Sequence, residues 1–141
     1  MKKILFIIAF IFYFSSFGQV GVTDLGKKSF SQVRNSFTIT ACEVTKDKVL
    51  TYCVEDGSRF SFLFKERILN GIMTMTAFST QYSAEMELER VISREKSTIG
   101  IEPFISNGKT MFNTLESPIF ISYYVESFNQ TYYMIHYIGA K

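Results

Sequence analysis

Tryptophan is absent from the 141 residues, histidine occurs once, and cysteine and proline occur twice each. Each scarcity removes a class of function. The single histidine, His136, excludes any metal site built on two imidazoles, and no zinc-ligand cluster can be assembled with standard spacing. Charge of one sign is also missing, with 15 Lys and Arg against 13 Asp and Glu. A nucleic-acid binder carries a basic excess that this chain lacks. An acidic surplus that would mark a solvating tail is lacking as well. Hydrophobic residues are 47% of the chain and charged residues 20%, enough apolar surface for a core and too much for a disordered segment. The length suits about one domain.

Only one long hydrophobic run is present, and it lies at the start. Lys2-Lys3 precede an apolar stretch from Ile4 to Phe14, which is followed by Ser15-Ser16-Phe17-Gly18. Positive, apolar and small residues in that order are those of a secretory signal. As a helix the run reaches only ~16 Å, at ~1.5 Å per residue, against a hydrocarbon core of ~30 Å. A cleaved signal over residues 1–18 is therefore expected, with cleavage between Gly18 and Gln19. No cysteine stands there to take a lipid, so no stable membrane anchor is expected after cleavage. The two surplus positive charges are Lys2 and Lys3, and the remaining 123 residues are formally neutral with 13 charges of each sign. The expected location is periplasmic or extracellular.

Export would place Cys42 and Cys53 in an oxidising compartment, where two cysteines can pair. Apolar residues flank both, and Thr45-Lys46-Asp47-Lys48 between them forms a polar turn, so they belong on the two arms of one hairpin. Direct opposition of Cys42 and Cys53 requires a four-residue loop from Lys46 to Val49. A two-residue Lys46-Asp47 loop puts Thr51 opposite Cys42 instead. A staple or two buried thiols is the structural reading. No CxxC spacing or neighbouring histidine supports a reactive thiol pair. A loop this short contributes only ~3 kcal/mol in the chain-entropy model.

Gln19 to Lys28 lacks periodicity and reads as an extended lead-in, followed by a single domain over residues 29–141. Ser29-Phe-Ser-Gln32 fits a capping box, in which the Ser29 hydroxyl and Gln32 amide satisfy open backbone donors. Phe30, Val33 and Phe37 follow at helical spacing, so a short helix is expected from Phe30 to Ser36. From Thr38 the period becomes two. Phe37 to Val44, Val49 to Glu55, Arg59 to Lys65 and Ile68 to Thr76 are successive strand candidates, with an Asp56-Gly57 turn between the second and third.

A second helix is readable between Thr80 and Ser97. Ala84, Leu88, Val91 and Ile92 form its apolar stripe, while Glu85, Glu87, Glu89, Arg90, Arg94 and Lys96 make a solvated face with acids before bases. Ser97 to Ser106 is irregular, and Asn107-Gly108 is a turn dipeptide able to join two short strands. Lys109 to Leu115, Ile119 to Glu126 and Thr131 to Ile138 complete the strands. The order of helix, four strands, helix and three strands defines a two-layer α+β fold, an antiparallel sheet of about seven strands with both helices on one face.

Residues that could carry chemistry are sparse. No GxSxG turn presents a nucleophile, and no glycine loop lies between a strand and a helix to cradle phosphate. The carboxylates cluster in a turn or on an exposed helix rather than in a cleft that could raise a pKa. No cofactor is expected. Asn129-Gln130-Thr131 matches a glycosylation sequon, relevant only in a host that glycosylates it.

The last hairpin, Ile119 to Ile138, carries more information. With an odd-length loop centred on Phe128, one face holds Ile119, Ile121, Tyr123, Val125, Tyr133, Ile135 and Tyr137. The other holds Phe120, Ser122, Tyr124, Tyr132, Met134, His136 and Ile138. Both faces are apolar and aromatic, whereas a sheet covered on one side should alternate with polar residues. The second face therefore needs a cover: another part of the chain, a partner or a ligand. Curling of the sheet over its own face is the plainer alternative. Phe120, Tyr124, Tyr132, Met134 and His136 are the candidate binding residues, since aromatic side chains with polar tips suit recognition.

Ser29, Val33 and Phe37 in a capped helix, followed by Leu50-Thr51-Tyr52 and Phe60-Ser61-Phe62, resemble the start of two exported families. These are the small outer-membrane assembly lipoproteins and the beta-lactamase inhibitor-like proteins. The resemblance covers Lys27 to Phe64. It implies helices on one side of an antiparallel sheet and a role in protein binding rather than catalysis. The lipidated N-terminal cysteine of the lipoproteins is missing here, as is the second helix that both families usually place before the first strands.

The residues and the resemblance point the same way. The expected function is an exported, non-enzymatic binding or protein-interaction module that takes a protein or a small apolar ligand on an aromatic sheet face. The alternative is a small exported hydrolase with its site around His136, which requires an acid and a hydroxyl beside the imidazole.

Overall fold

The computed structural model describes residues 20–113 and 117–141. The expected signal, its cleavage point and the far end of the strand expected over Lys109 to Leu115 lie outside them. Val20 is buried, a short 3-10 turn follows at Val22–Asp24, and the chain then runs beside the start of a strand. There the Gly26 N–H donates to the Leu69 carbonyl, and the Leu69 N–H donates to the Lys28 carbonyl. Helix α1 spans Phe30–Asn35 and begins as its sequence dictates. The Ser29 hydroxyl accepts from the Gln32 N–H at 3.3 Å, and the Gln32 side chain accepts from the Ser29 N–H at 2.9 Å.

Four strands follow, β1 (Glu43–Thr45), β2 (Val49–Cys53), β3 (Arg59–Lys65) and β4 (Ile68–Phe78). Helix α2 then spans Gln81–Ile99, with the Thr80 hydroxyl accepting from the Ser83 N–H at its start. Gly100, at φ 69°, ends it in the left-handed conformation that a side chain would resist. The remaining strands are β5 (Phe104–Ser106), β6 (Lys109–Asn113), β7 (Ile119–Phe128) and β8 (Thr131–Ala140).

All eight strands form one antiparallel sheet in the order β1-β2-β3-β4-β8-β7-β6-β5. The fold is thus α+β with two helices, and its sheet has eight strands rather than about seven. The extra one is β5, joined to β6 across Asn107-Gly108, where both turn residues have positive φ. Strand β1 is much shorter than the expected Phe37 to Val44, because the chain from Thr38 to Ala41 pairs with nothing along the sheet.

Alternation along the strands sorts the side chains. Leu50, Phe62, Ile72, Ile138, Ile121 and Phe112 lie opposite one another in successive strands and so share one face. Helix α1 sets Phe30 and Val33 against the β2–β4 part of that face, packing with Tyr52, Phe60 and Leu69. Helix α2 sets Val91 against the β6–β8 part, with Leu88 and Ile92 beside it. Both helices therefore cover the same side, and each core residue contributes roughly 1.5–3 kcal/mol through burial.

The disulfide between Cys42 and Cys53 is present, with Cα atoms 5.9 Å apart. The turn leading to it differs from both expected forms. Thr45 pairs with Val49 and Glu43 with Thr51, leaving a three-residue loop over residues 46–48. Asp47 takes a positive φ of 54° to close that loop. Cys42 therefore stands one residue before the start of β1 and reaches Cys53 diagonally, a separation still within the range that a disulfide spans. Replacing both cysteines by serine should lower the unfolding free energy by about 2–4 kcal/mol in urea titration. An unchanged midpoint would show that the bridge constrains nothing. The bridge is consistent with export. Among the described residues no helix is long and apolar enough to cross a membrane.

Candidate functional site

The β7–β8 turn decides which hairpin residues stand together. Phe128 pairs with Thr131, so the loop is the two-residue Asn129-Gln130, both at positive φ, and not an odd-length loop centred on Phe128. Paired primed turns of this kind match the twist of the strands. The register shifts by one, and the two faces exchange partners accordingly. Tyr132, Met134, His136 and Ile138 join Ile119, Ile121, Tyr123 and Val125 beneath the helices. Phe120, Ser122 and Tyr124 join Tyr133, Ile135 and Tyr137 on the opposite, outer face. The five residues singled out from the sequence therefore do not form one surface. Phe120 and Tyr124 lie outside, while Tyr132, Met134 and His136 lie on the helix side.

The outer face is built around two glycines. Gly71 and Gly139 are paired across β4 and β8. A Cβ at Gly139 would stand 2.6 Å from Phe120 Cζ, and one at Gly71 would stand 2.5 Å from the Tyr137 hydroxyl. The absent side chains let Tyr137 lie against the sheet with Phe120 beside it, their ring centroids 5.6 Å apart. Ile135, wholly buried on this face, stands opposite Met75 in β4 and Tyr124 in β7. Lys109 places its Nζ 4.3 Å from the centre of the Tyr124 ring, a cation-π contact. Burial holds the Tyr124 and Tyr137 hydroxyls above their ordinary range, with the Glu126 carboxylate adding to the effect at Tyr124. Both phenols stay protonated and can donate.

Beside these rings the outer face bends into a groove of about 350 Å³, within the size range of ligand clefts. Val49, Leu63, Met73 and Met75 come from β2, β3 and β4, while Tyr133 and Phe128 come from the last hairpin. Phe128 is 58% exposed although it is aromatic. The Thr51 and Ser61 hydroxyls in the lining bond to each other at 2.8 Å and are satisfied. A second apolar face thus exists, but β8 contributes Tyr133, Ile135 and Tyr137 to it rather than Tyr132, Met134 and His136.

The helix side holds a second cluster, in which His136 and Glu95 are buried beside Tyr123. His136 stacks on Tyr123 with ring centroids 4.4 Å apart and planes at 15°. Burial, helped by the Arg94 charge, pushes the His136 pKa down to about 3. Glu95, only 4% exposed, has its carboxyl pKa raised by burial and partly restored by Arg94, whose guanidinium lies 3.9 Å away. The Tyr123 hydroxyl is raised well above its ordinary range, first by burial and then by the Glu95 charge. Glu95 escaped the sequence reading, yet a signal was there. It falls four residues after Val91 and seven after Leu88, on the apolar stripe itself. Among the described residues, no group of three His, Cys, Asp or Glu side chains is placed to hold a metal ion.

No protein-family model, curated protein or solved structure matches this chain.

Proposed function

We propose that this is an exported binding module that takes its partner on the outer face of the sheet. The carrying observation is the contrast between the two faces. Helices α1 and α2 both pack on one side. On the other, the strands present Phe120, Tyr124, Tyr133, Tyr137, Met73 and Met75 beside a satisfied pair of hydroxyls and a glycine-built platform, and among the described residues neither helix core includes them. Aromatic side chains fixed by packing beneath them bind at low entropic cost, which favours recognition. The Cys42–Cys53 bridge and the leader at residues 1–18 support export.

The burial of His136 weighs against the hydrolase reading. A general base works best with a pKa near the working pH. An imidazole held near 3 and stacked on a tyrosine accepts a proton poorly. Replacing Tyr124 and Phe128 together by serine tests the binding reading. The melting temperature should move by less than about 4 °C, as suits positions contributing under ~1 kcal/mol. The partner recovered by crosslinking the exported wild-type protein should disappear. A fall of more than about 10 °C would place both rings in the core and remove them from recognition.

A further inference from the structure

The groove on the outer face carries more chemical information than its apolar walls. Three charged residues line it: Glu43 from β1, Arg59 from β3 and Glu126 from β7. Among the described residues none of the three makes an ion pair. A ligand entering this space must therefore complement two carboxylates and one guanidinium while covering Leu63, Met73 and Met75. A plain hydrocarbon would strip water from the three charges and return nothing, at a cost that burial of the apolar walls would have to exceed. An apolar anion would meet Arg59 but also both carboxylates, and like charges brought together oppose binding.

A polypeptide meets all of these demands. Its carbonyl oxygens accept from a guanidinium, its alternate side chains supply apolar contact, and basic residues answer the carboxylates. Methionine side chains re-pack to suit varied apolar neighbours, so Met73 and Met75 accommodate more than one sequence. Resting on the reading of the outer face as a binding surface, we propose that the groove binds an extended polypeptide segment with apolar side chains and at least one basic residue. Glu126 and Glu43 take the basic side chain, and Arg59 takes a main-chain carbonyl.

Fluorescence anisotropy with two labelled hexapeptides, Leu-Lys-Leu-Lys-Leu-Lys and Leu-Glu-Leu-Glu-Leu-Glu, tests this on the disulfide-bonded protein, with unlabelled dodecanoate as competitor. The lysine peptide should bind in a saturable way and at least about tenfold more tightly than the glutamate peptide. Glu126→Lys, at an exposed position, should reduce that binding by about tenfold or more while the circular dichroism spectrum is unchanged. The proposal is overturned if the lysine peptide fails to saturate, or if the glutamate peptide binds equally well. It is also overturned if dodecanoate displaces the lysine peptide completely, or if Glu126→Lys binds as the wild type does. Photo-crosslinking from Met75 keeps the two readings apart. Adducts from Met75 together with failed peptide binding would remove the peptide specificity and leave the binding face standing, whereas no adducts and no peptide binding would remove both.

Discussion

Acidification from about pH 7 to about pH 4 should cost the protein about 3 kcal/mol of stability through His136 alone. The sign follows from the direction of the shift. The imidazole has a folded-state pKa of about 3 against an ordinary 6.5, so the folded protein resists protonation and the unfolded chain accepts it. Its contribution is intact above pH 6.5 and is lost as the pH falls from there toward 3. Glu95 works in the opposite sense. Its carboxyl pKa is raised by burial, so its charge burdens the folded state at neutral pH, and acid relieves the burden. Urea titrations across this range should show His136→Asn with a flattened acid slope. Glu95→Gln should be more stable than the wild type near pH 7, with a gain that shrinks on acidification. An unaltered slope in His136→Asn would mean that the ring is hydrated in the folded protein.

Gly139→Ala should lower the unfolding free energy by about 2–3 kcal/mol, a large loss for one methyl group. The new Cβ would stand 2.6 Å from Phe120 Cζ and 2.8 Å from Tyr137 Cε1, both in rings held by neighbours on the outer face. The two rings also pack on each other, with centroids 5.6 Å apart, so a shift of one disturbs the other. Phe120→Ala in the same chain should recover part of the loss, giving a coupling energy of about 1 kcal/mol or more in a double-mutant cycle. Gly71→Ala should behave in parallel with Tyr137 as its partner, since the Cβ there would meet the Tyr137 ring at 2.6 Å. Additive effects at Gly139 and Phe120 would show that the two rings are not supported by the glycine pair.

Much of the fold was legible because local chemistry determines it. Ser29 and Gln32 close a capping box wherever the chain places them, and the apolar stripe from Ala84 to Ile92 faces a core on any helix. The alternating Phe60, Phe62 and Phe64 bury one face of β3 as their spacing requires. What escaped depends on counting residues through turns. Asp47, Asn129 and Gln130 all adopt positive φ, which non-glycine residues do at a cost, and this set one loop at three residues and another at two. A slip of one residue at Asn129-Gln130 moved Tyr132, Met134 and His136 beneath the helices and brought Tyr133, Ile135 and Tyr137 to the outer face. The pairing of β4 with β8 lies beyond such counting, because 52 residues separate the end of β4 from the start of β8. The groove depends on that pairing, so Met73 and Met75 could not be joined to Tyr133 from the sequence.

A photo-crosslinking amino acid placed either at Met75, in the groove, or at Glu89, on the exposed side of α2, tests the assignment of function to the outer face most directly. Irradiation of the exported protein in its producing cells should give a discrete adduct from Met75 and none from Glu89. Adducts from Glu89 alone would contradict the assignment and move the binding surface to the helical side.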